Sequence, residues 1–538
     1  MRDPARRTLA ATPPGPAAAD GGQAGPSRRR LLAAMVGGTA AAAAVVGLAP
    51  AFVRHARAAD LPRFGLGIAS GQPQATSVVL WTRLVGADLP AQADVAWELA
   101  EDEAFTRIAA RGTELASWDD AYSVHAEPQG LQPARWYWYR FSALGQRSAV
   151  GRTRTAPAPD ARVDRLEFAI ASCQRYDVGR YAAWRHAAAQ PLDLVLFLGD
   201  YIYEYPSAAN AVRPVEGGRV RRLEEYRARY ATHKSDPALQ AAHAACPWLL
   251  VWDDHEVEND YAGLQGEFLE ADFADQRAAA YKAYWEHMPL PKALRPDRGA
   301  MRMHGRLDWG RLARIHLLDD RQMRDSQVCP QRGRGGSNTV RLADCPALLD
   351  PRRTLLGPAQ ERWLADGWAP DRPWNLLAQQ TLMARCSWED PAGPSRGGTY
   401  WTDGWDGYPL ARRRLLSAVA ERKVPGVVVL GGDVHANYVA NLRSDDDDPR
   451  SPVVAAEFCG TSITSLGLEQ ARLDRARAFN PHILHARSDQ RGYGRFTLQP
   501  GQLHADLQVL ADARDAASPI ASQGRFVVEA GRPAVQRA

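Results

Sequence analysis

Short apolar runs that end in polar residues recur along the chain. Four such runs are FAIA at 168–171, LVLFL at 194–198, LLVW at 249–252 and VVVL at 427–430. Apolar runs of this length are typical of strands that are buried on both faces, as in a parallel sheet. Helical periodicity lies between them, for instance over 219–245 and 271–288. The pattern predicts an α/β domain over residues 163–515.

The segment that precedes this domain has a different pattern. Apolar and polar residues alternate in DVAWELA (94–100) and ARWYWYRFSAL (134–144), with turn residues between such stretches. Alternation with a period of two predicts half-buried strands. We therefore predict an all-β domain over residues 60–157, an immunoglobulin-like or fibronectin-like sandwich that ends at a Pro/Ala linker. We predict that residues 516–538 form a C-terminal tail.

The first 58 residues have the features of an export signal. Ser27-Arg28-Arg29-Arg30-Leu31-Leu32 is a twin-arginine pattern, an Ala-rich stretch follows it, and Ala56-Arg57-Ala58 resembles a cleavage site. We predict cleavage after export by the twin-arginine translocase, which places the protein in the periplasm, in the cell wall or outside the cell. The alternative is an uncleaved membrane anchor.

Charge argues against a nucleic-acid-binding protein. The sequence pI is about 8.7 and the formal net charge is +4. Residues 1–58 alone carry eight Arg and two Asp. The rest of the chain is therefore slightly acidic, and it lacks the basic excess that attracts nucleic acid. We expect no specific nucleic-acid binding, and a monomer.

The six cysteines contain no C-x-x-C pair, which argues against a zinc ribbon. Cys329 and Cys345 flank a Gly/Arg-rich loop, RGRGGSN, and we predict a disulfide that closes it. The alternative is two exposed thiols. We expect Cys246, Cys386 and Cys459 to be small buried residues.

Polar motifs follow the apolar runs, at the edge where ligands bind to an open α/β sheet. They are Ser172-Cys173-Gln174, Asp200 with Tyr203, Asp253-Asp254-His255-Glu256, and Asp433-Val434-His435. A carboxylate can bridge two cations, and a phenolate suits a strongly Lewis-acidic metal such as ferric iron. The set predicts a metal site. Taken singly, each motif has a structural explanation: Tyr203 could pack its loop, and a lone Cys is usually structural.

Two further residues are candidates for this site. Asn259 lies five residues beyond Asp254 and could add an oxygen ligand. Arg321 follows another strand-like run, LARIHLLDD, and could clamp a phosphate with two hydrogen bonds. A structural ion pair between Arg321 and Asp319 explains the pattern equally well.

Together the motifs resemble the PhoD-like alkaline phosphatases and phosphodiesterases, relatives of the purple acid phosphatases. The resemblance spans about 60–515 and rests on these stretches: SGQP, SVVLWTRL, SCQ, GDYIYEY, WDDHEVEND, LDDRQMR, GPAQERWL and GGDVHAN. It implies a four-layer α/β metallophosphoesterase fold with ferric iron (Fe3+) and two calcium ions (Ca2+) at the sheet edge. By motif position, iron would take Cys173, Asp200, Tyr203 and His435. Calcium would take Asp200, Asp254, Asn259 and Asp433.

The chain departs from the family pattern in one motif that bears on the site. The usual LDTRQYR is LDDRQMR here, with Asp320 and Met323 substituted. A carboxylate beside Arg321 could weaken anion binding or add a cation ligand.

The resemblance implies a secreted, metal-dependent phosphatase that hydrolyses phosphate monoesters and diesters at alkaline pH. His255 and Arg321 would contact transition-state oxygens, and Cys173 would be a ligand. Teichoic acid, nucleotides and phospholipids are candidate substrates. Three alternatives stay open: a phospholipase D-like phosphodiesterase of the same family, a non-catalytic cell-wall-binding protein, and an enzyme that uses Cys173 as a covalent nucleophile.

Overall fold

Two large β-sheets organise residues 62–538, the part of the chain that the computed structural model describes. The predicted signal peptide, residues 1–58, lies outside the described residues. The strands are β1 Ile68–Gly71, β2 Val79–Arg83, β3 Gln92–Ala100, β4 Ile108–Ser117, β5 Ser123–Ala126, β6 Trp136–Ala143, β7 Gln146–Arg147, β8 Gly151–Arg154, β9 Leu166–Ala171, β10 Leu194–Leu198, β11 Trp248–Val251, β12 Gly305–Trp309, β13 Ala313–Leu317, β14 Thr339–Arg341, β15 Trp374–Ala378, β16 Thr399–Trp401, β17 Val427–Gly431, β18 Asn437–Arg443, β19 Val453–Cys459, β20 Ile483–Arg487, β21 Gly492–Leu498, β22 Gln502–Leu510, β23 Ile520–Glu529 and β24 Arg532–Arg537. The α-helices are α1 Ala182–Ala188, α2 Leu223–Lys234, α3 Pro237–Ala245, α4 Phe273–His287, α5 Gly357–Ala365, α6 Pro409–Glu421 and α7 Gln470–Arg477.

The first sheet has ten strands in the order β24-β23-β22-β21-β9-β10-β11-β1-β2-β5. Its centre is parallel: β10 pairs with β9 on one side and with β11 on the other. The three strands come from the apolar runs, and every residue of each is buried, as expected of parallel strands covered on both faces. The predicted strands over these runs are confirmed, and β21 and β22 form an antiparallel pair.

The N-terminal segment is made of strands, as predicted, and its two layers share one hydrophobic core. One of these layers is continuous with the α/β domain, which corrects the prediction of a separate domain. Strands β3, β4, β6, β7 and β8 form a five-stranded sheet, but β1, β2 and β5 belong to the ten-stranded sheet. β1 pairs in parallel with β11 through Gly71 and Trp248. All four residues of β1 and of β5 are buried, because the five-stranded sheet covers one face and helices α3 and α4 pack on these strands as well.

The C-terminal residues 516–538 are not a tail, which is a second correction. They contain β23 and β24, which extend the large sheet beyond β22. Alternate residues of β23 face the interior, so Phe526 is 3% exposed and Val528 is 1% exposed. The apolar run FVV at 526–528 is the local sign of this strand, and pairing with β22 satisfies its backbone.

The second sheet has seven strands in the order β12-β13-β15-β17-β19-β18-β20. It packs face to face on the first sheet through aromatic residues, including Phe458 of β19 against Phe496 of β21, with ring centroids 5.4 Å apart. Helices cover the outer faces: α1 and α3 lie on the side of the first sheet, and α6 packs on the second. The four-layer α/β architecture is the predicted one.

The loops that follow the parallel strands meet where the two sheets face each other. The amide of Ile463 donates to the carbonyl of Ser172, and the amide of Gly432 donates to the carbonyl of Gln380. Loops after β9, β15, β17 and β19 are thereby tied by their backbones. This edge carries the polar motifs of the sequence. Within 62–538, no helix has both the length and the apolar character that a membrane crossing requires.

Candidate active site

Four of the predicted ligands lie on strained backbone at this edge. Cys173, Asp200, Asp433 and His435 have φ angles of 57°, 60°, 64° and 52°, the left-handed region that side chains other than glycine rarely occupy. Such strain is typical of functional sites, where surrounding structure holds it in place. The glycines beside these residues allow the loops to touch: a Cβ on Gly199 would collide with Asp253, and one on Gly432 with Ser172.

The first cluster joins Cys173, Asp200 and His435, whose ligand atoms all lie within 4.8 Å of one another. The Tyr203 hydroxyl completes it, because it donates to Asp200 Oδ2 at 2.7 Å and lies 3.1 Å from His435 Nε2. The Ser465 hydroxyl in turn donates to the Tyr203 oxygen at 2.7 Å. The structure therefore brings together the four residues predicted as iron ligands.

The second cluster joins Asp200, Asp254 and His255, also within 4.8 Å. The His255 ring stacks on Tyr203 with centroids 4.1 Å apart, and its Nδ1 lies 2.7 Å from Glu204 Oε2. Burial opposes protonation of His255, but the carboxylates of Asp254 and Glu204 outweigh it and raise its pKa well above the ordinary value. Asp200 belongs to both clusters, so the two share a bridging carboxylate.

Asp433 and Asn259, the remaining predicted ligands, line the same cavity as Asp200 and Asp254. Asp433 Oδ2 accepts a hydrogen bond from the Thr381 hydroxyl at 2.7 Å. The backbone amide of Asn259 donates to Glu204 Oε1 at 3.0 Å, and this hydrogen bond fixes the loop that contains Asn259. All seven predicted ligands thus converge on one place.

Arg321 is not placed as the predicted phosphate clamp. Its guanidinium is 1% exposed and absent from the cavity wall. It pairs with Asp253 at 2.5 Å, with Asp403 at 2.8 Å and with Asp254 at 3.6 Å. The structural alternative raised by the sequence holds, but with other partners than Asp319. From Arg321, Asp319 accepts a hydrogen bond from the backbone amide and none from the guanidinium. The side chain is occupied because three carboxylates surround it.

The two departures from the family motif lie away from the cavity wall. Asp320 is 1% exposed and accepts from the Gln380 amide, and burial raises its pKa to about 7. Met323 is 58% exposed and contacts the start of α5 at Gly357. Neither residue is among the groups that could hold a cation in the described part of the chain.

Sequence reasoning missed several carboxylates that build the site. Glu256 accepts from the backbone amides of Asp200, Tyr201 and Asp253, and so locks the loops after β10 and β11 together. Asp260 and Asp403 form a third acidic group with Asp254, within 4.8 Å. Burial, and then Asp403, raise the pKa of Asp260 to about 7. Glu256 and Asp260 lie in the motif WDDHEVEND, whereas Asp403 follows β16 and had no strand-end signal.

The donor set fits bound cations. One buried carboxylate oxygen of each of three aspartates accepts no hydrogen bond from residues 62–538: Asp200 Oδ1, Asp253 Oδ2 and Asp254 Oδ1. Leaving buried charge unpaired is costly, and a metal ion would compensate it. Burial and the neighbouring Asp200 raise the pKa values of Cys173 and Tyr203 well above their ordinary range, so a cation is what would favour thiolate and phenolate.

The cavity above the clusters has a volume of about 420 Å³. One end is acidic, with the residues described above. The other end, which no sequence signal pointed to, is apolar and aromatic. Its residues include Leu382, Trp388, Trp401, Trp405, Leu466 and Leu468.

Comparison with known proteins covers both the sheets and these loops. The chain matches the family model described as PhoD-like phosphatase over residues 168–507, and its N-terminal domain model over 47–157. Alkaline phosphatase D of Bacillus subtilis (strain 168) is 43% identical over 484 residues, which are 87% of this chain and 81% of that protein. A solved structure of PhoD has a TM-score of 0.83 at 41% identity, over 88% of this chain and 92% of that chain.

Proposed function

The chain belongs to the PhoD-like phosphatase family and is a phosphoesterase hydrolase, and from that premise we propose that it hydrolyses phosphate monoesters and diesters at alkaline pH in a metal-dependent reaction. The observation that carries the proposal is the pair of clusters that share Asp200. A bridging carboxylate between a thiol–phenol–imidazole set and a carboxylate set suits two cations of different softness.

Ferric iron would be held by Cys173, Asp200, Tyr203 and His435, and calcium by Asp200, Asp254, Asn259 and Asp433. Bound cations would neutralise phosphoryl oxygens and lower the pKa of a coordinated water. The surrounding residues of the chain hold the ligand side chains in place. His435 is oriented by its Nδ1, which lies 2.7 Å from the Leu466 carbonyl, so Nε2 faces Tyr203.

His255 is the side chain best placed to contact the phosphate. Its Nδ1 is engaged by Glu204, and the ring is clamped by Tyr203 and Tyr205. This leaves Nε2 as the ring atom that can donate to a phosphoryl oxygen, and the residue lines the cavity. Arg321 acts as a positioning residue, because its ion pairs hold the carboxylates of Asp253 and Asp254 in place.

Cys173 is poorly suited to nucleophilic attack. The residue is 1% exposed, and burial together with Asp200 raises the pKa of its thiol. A reactive thiol needs access and a lowered pKa. Both features favour a ligand over a covalent nucleophile.

The test is elemental analysis of the folded protein, combined with turnover of p-nitrophenyl and bis-p-nitrophenyl phosphate with and without EGTA. We expect about one iron per chain and turnover that falls when calcium is removed. Cys173→Ser should lose iron, whereas Cys246→Ser, which alters a buried thiol outside the clusters, should keep it. Metal-free protein with full turnover would refute the ligand assignment and favour the alternative in which Cys173 is a covalent nucleophile.

We also propose export by the twin-arginine translocase, on the strength of Ser27–Leu32 in the sequence. Replacement of Arg28, Arg29 and Arg30 by Lys should retain the protein in the cytoplasm. Arg54→Lys, outside the pattern, should leave export unchanged. Equal export of the two variants would contradict the proposal.

A further inference from the structure

The aromatic end of the cavity has one tryptophan whose indole has no aromatic, cationic or hydrogen-bonding partner within residues 62–538. Trp401, at the end of β16, is half-buried and lines the cavity. Within 62–538, its side chain makes no hydrogen bond, stacks on no ring or cation, and belongs to no hydrophobic cluster. Large aromatic side chains in folded proteins usually bury their faces or pair their N–H groups, so an indole left this way at an active-site cavity indicates a ligand surface.

The other tryptophans of this wall are already engaged. Trp388 packs on the core of the second sheet, and the Arg472 guanidinium lies 4.5 Å above its ring. Trp405 is 1% exposed and donates its Nε1 proton to Gln379 at 3.1 Å. Of the three tryptophans, Trp401 is therefore the one whose indole has no ring, cation or hydrogen-bond partner within residues 62–538.

Two exposed leucines connect this wall to the metal clusters. Leu466 is 64% exposed and Leu468 is 40% exposed, and both line the cavity. The Leu466 carbonyl lies 2.7 Å from His435 Nδ1, so the apolar wall directly contacts a proposed iron ligand. An apolar surface this close to a reacting phosphate would lie against the organic part of the ester.

We propose that this wall binds a planar aromatic group of the phosphate ester, such as a nucleobase, with Trp401 stacked on its face. The proposal rests on the proposed function, because it assigns the group esterified to the phosphate that the clusters bind. Stacking on an aromatic side chain tolerates different bases, because every base has a π face.

A fatty acyl chain fits this wall less well. Arg472 is exposed at the cavity, and its guanidinium keeps a charge beside Trp388. Acyl chains laid over it would remove that charge from water without a hydrogen bond in return, which is costly. A nucleobase instead offers ring nitrogens and carbonyl oxygens that can accept from it.

The platform is held rigidly. β16 pairs with β14 in a two-stranded ribbon, with Thr339 opposite Trp401. Asn338 and Thr402 exchange hydrogen bonds at the end of this ribbon, and the Cys329–Cys345 disulfide closes the loop that contains β14, as predicted. A preordered surface loses little entropy when a ligand stacks on it.

Adenosine 5′-monophosphate and ribose 5-phosphate test the proposal, because the same P–O5′ bond breaks in both and only one carries a base. We expect wild-type kcat/KM to favour the nucleotide roughly tenfold, the effect of one stacked base. Trp401→Ala should bring the ratio close to one, mainly through KM, and Trp401→Phe should retain most of it. Trp118→Ala, an exposed tryptophan (61%) outside the cavity wall, should leave both rates unchanged.

Each other outcome has a definite meaning. A wild-type ratio near one, or an equal loss on both substrates in Trp401→Ala, overturns the proposal. It is also overturned if Trp401→Ala lowers hydrolysis of phosphatidylcholine vesicles and leaves the nucleotide preference intact, since the occupant is then an acyl chain.

If no phosphate ester is turned over, the proposed function fails, and the wall is judged by binding alone. The nucleotide should then quench tryptophan fluorescence in the wild type and lose that quenching in Trp401→Ala. Absence of quenching in the wild type overturns the wall as well.

Discussion

The two ends of the cavity are built in different ways. The acidic end is made by loops that leave buried parallel strands, and its carboxylates are almost fully buried: Asp200 is 1% exposed and Asp254 is 2% exposed. The aromatic end is made by a short ribbon and by loops that belong to neither large sheet, and Leu466 and Leu468 are open to solvent. The residues proposed to bind the metal ions thus lie on loops of the large sheets. The residues that would contact the rest of the substrate lie on the ribbon and on separate loops.

This difference implies that the two ends can be altered separately. Changes at the acidic end should lower turnover of every phosphate ester alike. Changes at the aromatic end should alter the ratio between substrates. The predictions that follow test this separation.

The largest effect is expected from Asp200→Asn. Asp200 is the bridging residue of both clusters, and the amide keeps its shape but removes its charge. We expect kcat/KM to fall by roughly 10³-fold or more, since cation-assisted charge neutralisation is worth several kcal/mol. The loss should be equal for adenosine 5′-monophosphate and ribose 5-phosphate.

Elemental analysis of the same Asp200→Asn protein should show reduced iron and calcium. Asp506→Asn, a change on β22 away from the cavity, serves as the control and should keep both metals. A loss that affects the nucleotide alone would contradict the separation of the two ends.

The sequence predicts the acidic end well because each ligand directly follows an apolar run. Cys173, Asp200 and Asp254 come one to three residues after a strand, so their convergence follows from the common edge of a parallel sheet. The four layers were implied by the family resemblance and not by this pattern. The strand-end pattern does not predict the role of Glu256, because that role depends on the backbone amides of three other residues.

The aromatic end escaped prediction because long-range pairing makes it. Trp401 meets the cavity only because β16 pairs with β14, which lies 58 residues or more earlier in the chain. Trp388 and Leu466 come from further loops, and none carries a local pattern. For the same reason, the sequence could not show that β1, β2 and β5 join the large sheet, since the pairing that connects them to it joins Gly71 to the distant Trp248.

The second prediction concerns the disulfide that closes the ribbon. Removing it in Cys329→Ser/Cys345→Ser should cost about 3 kcal/mol of local stability, the value for a loop of roughly 15 residues. We expect faster proteolysis between residues 329 and 345 and a reduced preference for the nucleotide, with ribose 5-phosphate turnover less affected. Cys246→Ser is the matched control. Unchanged proteolysis would show that β14–β16 pairing alone holds the ribbon.

The third prediction sets the pH range over which the two ends can be compared. His316 of β13 is fully buried, and burial, followed by the charge of Arg306, lowers its pKa to about 3. The unfolded chain therefore binds this proton first, near pH 6.5. The stability contribution of neutral His316 is complete above pH 6.5 and is lost as pH falls toward 3, by about 2 kcal/mol at pH 5.

Urea unfolding of the wild type and His316→Gln at pH 7.5, 6 and 5 measures this effect. The two free energies of unfolding should converge as pH falls, because the variant lacks the titrating group. Parallel curves would mean that His316 is protonated in the folded protein. Substrate ratios are then best compared above pH 6.5, where this group does not influence the fold.

The smallest effect is expected from Arg472→Gln, which removes the cation above Trp388 at the cavity. An exposed cation–π contact is worth about 0.5–1 kcal/mol, so we expect the nucleotide preference to fall roughly two- to fivefold. Added salt should reduce the difference, because the charge is exposed. Arg475→Gln, one turn along α7 and outside the cavity wall, is the matched control. If both variants lose preference equally, the effect arises from the overall charge of the helix, and the aromatic end recognises its ligand by stacking alone.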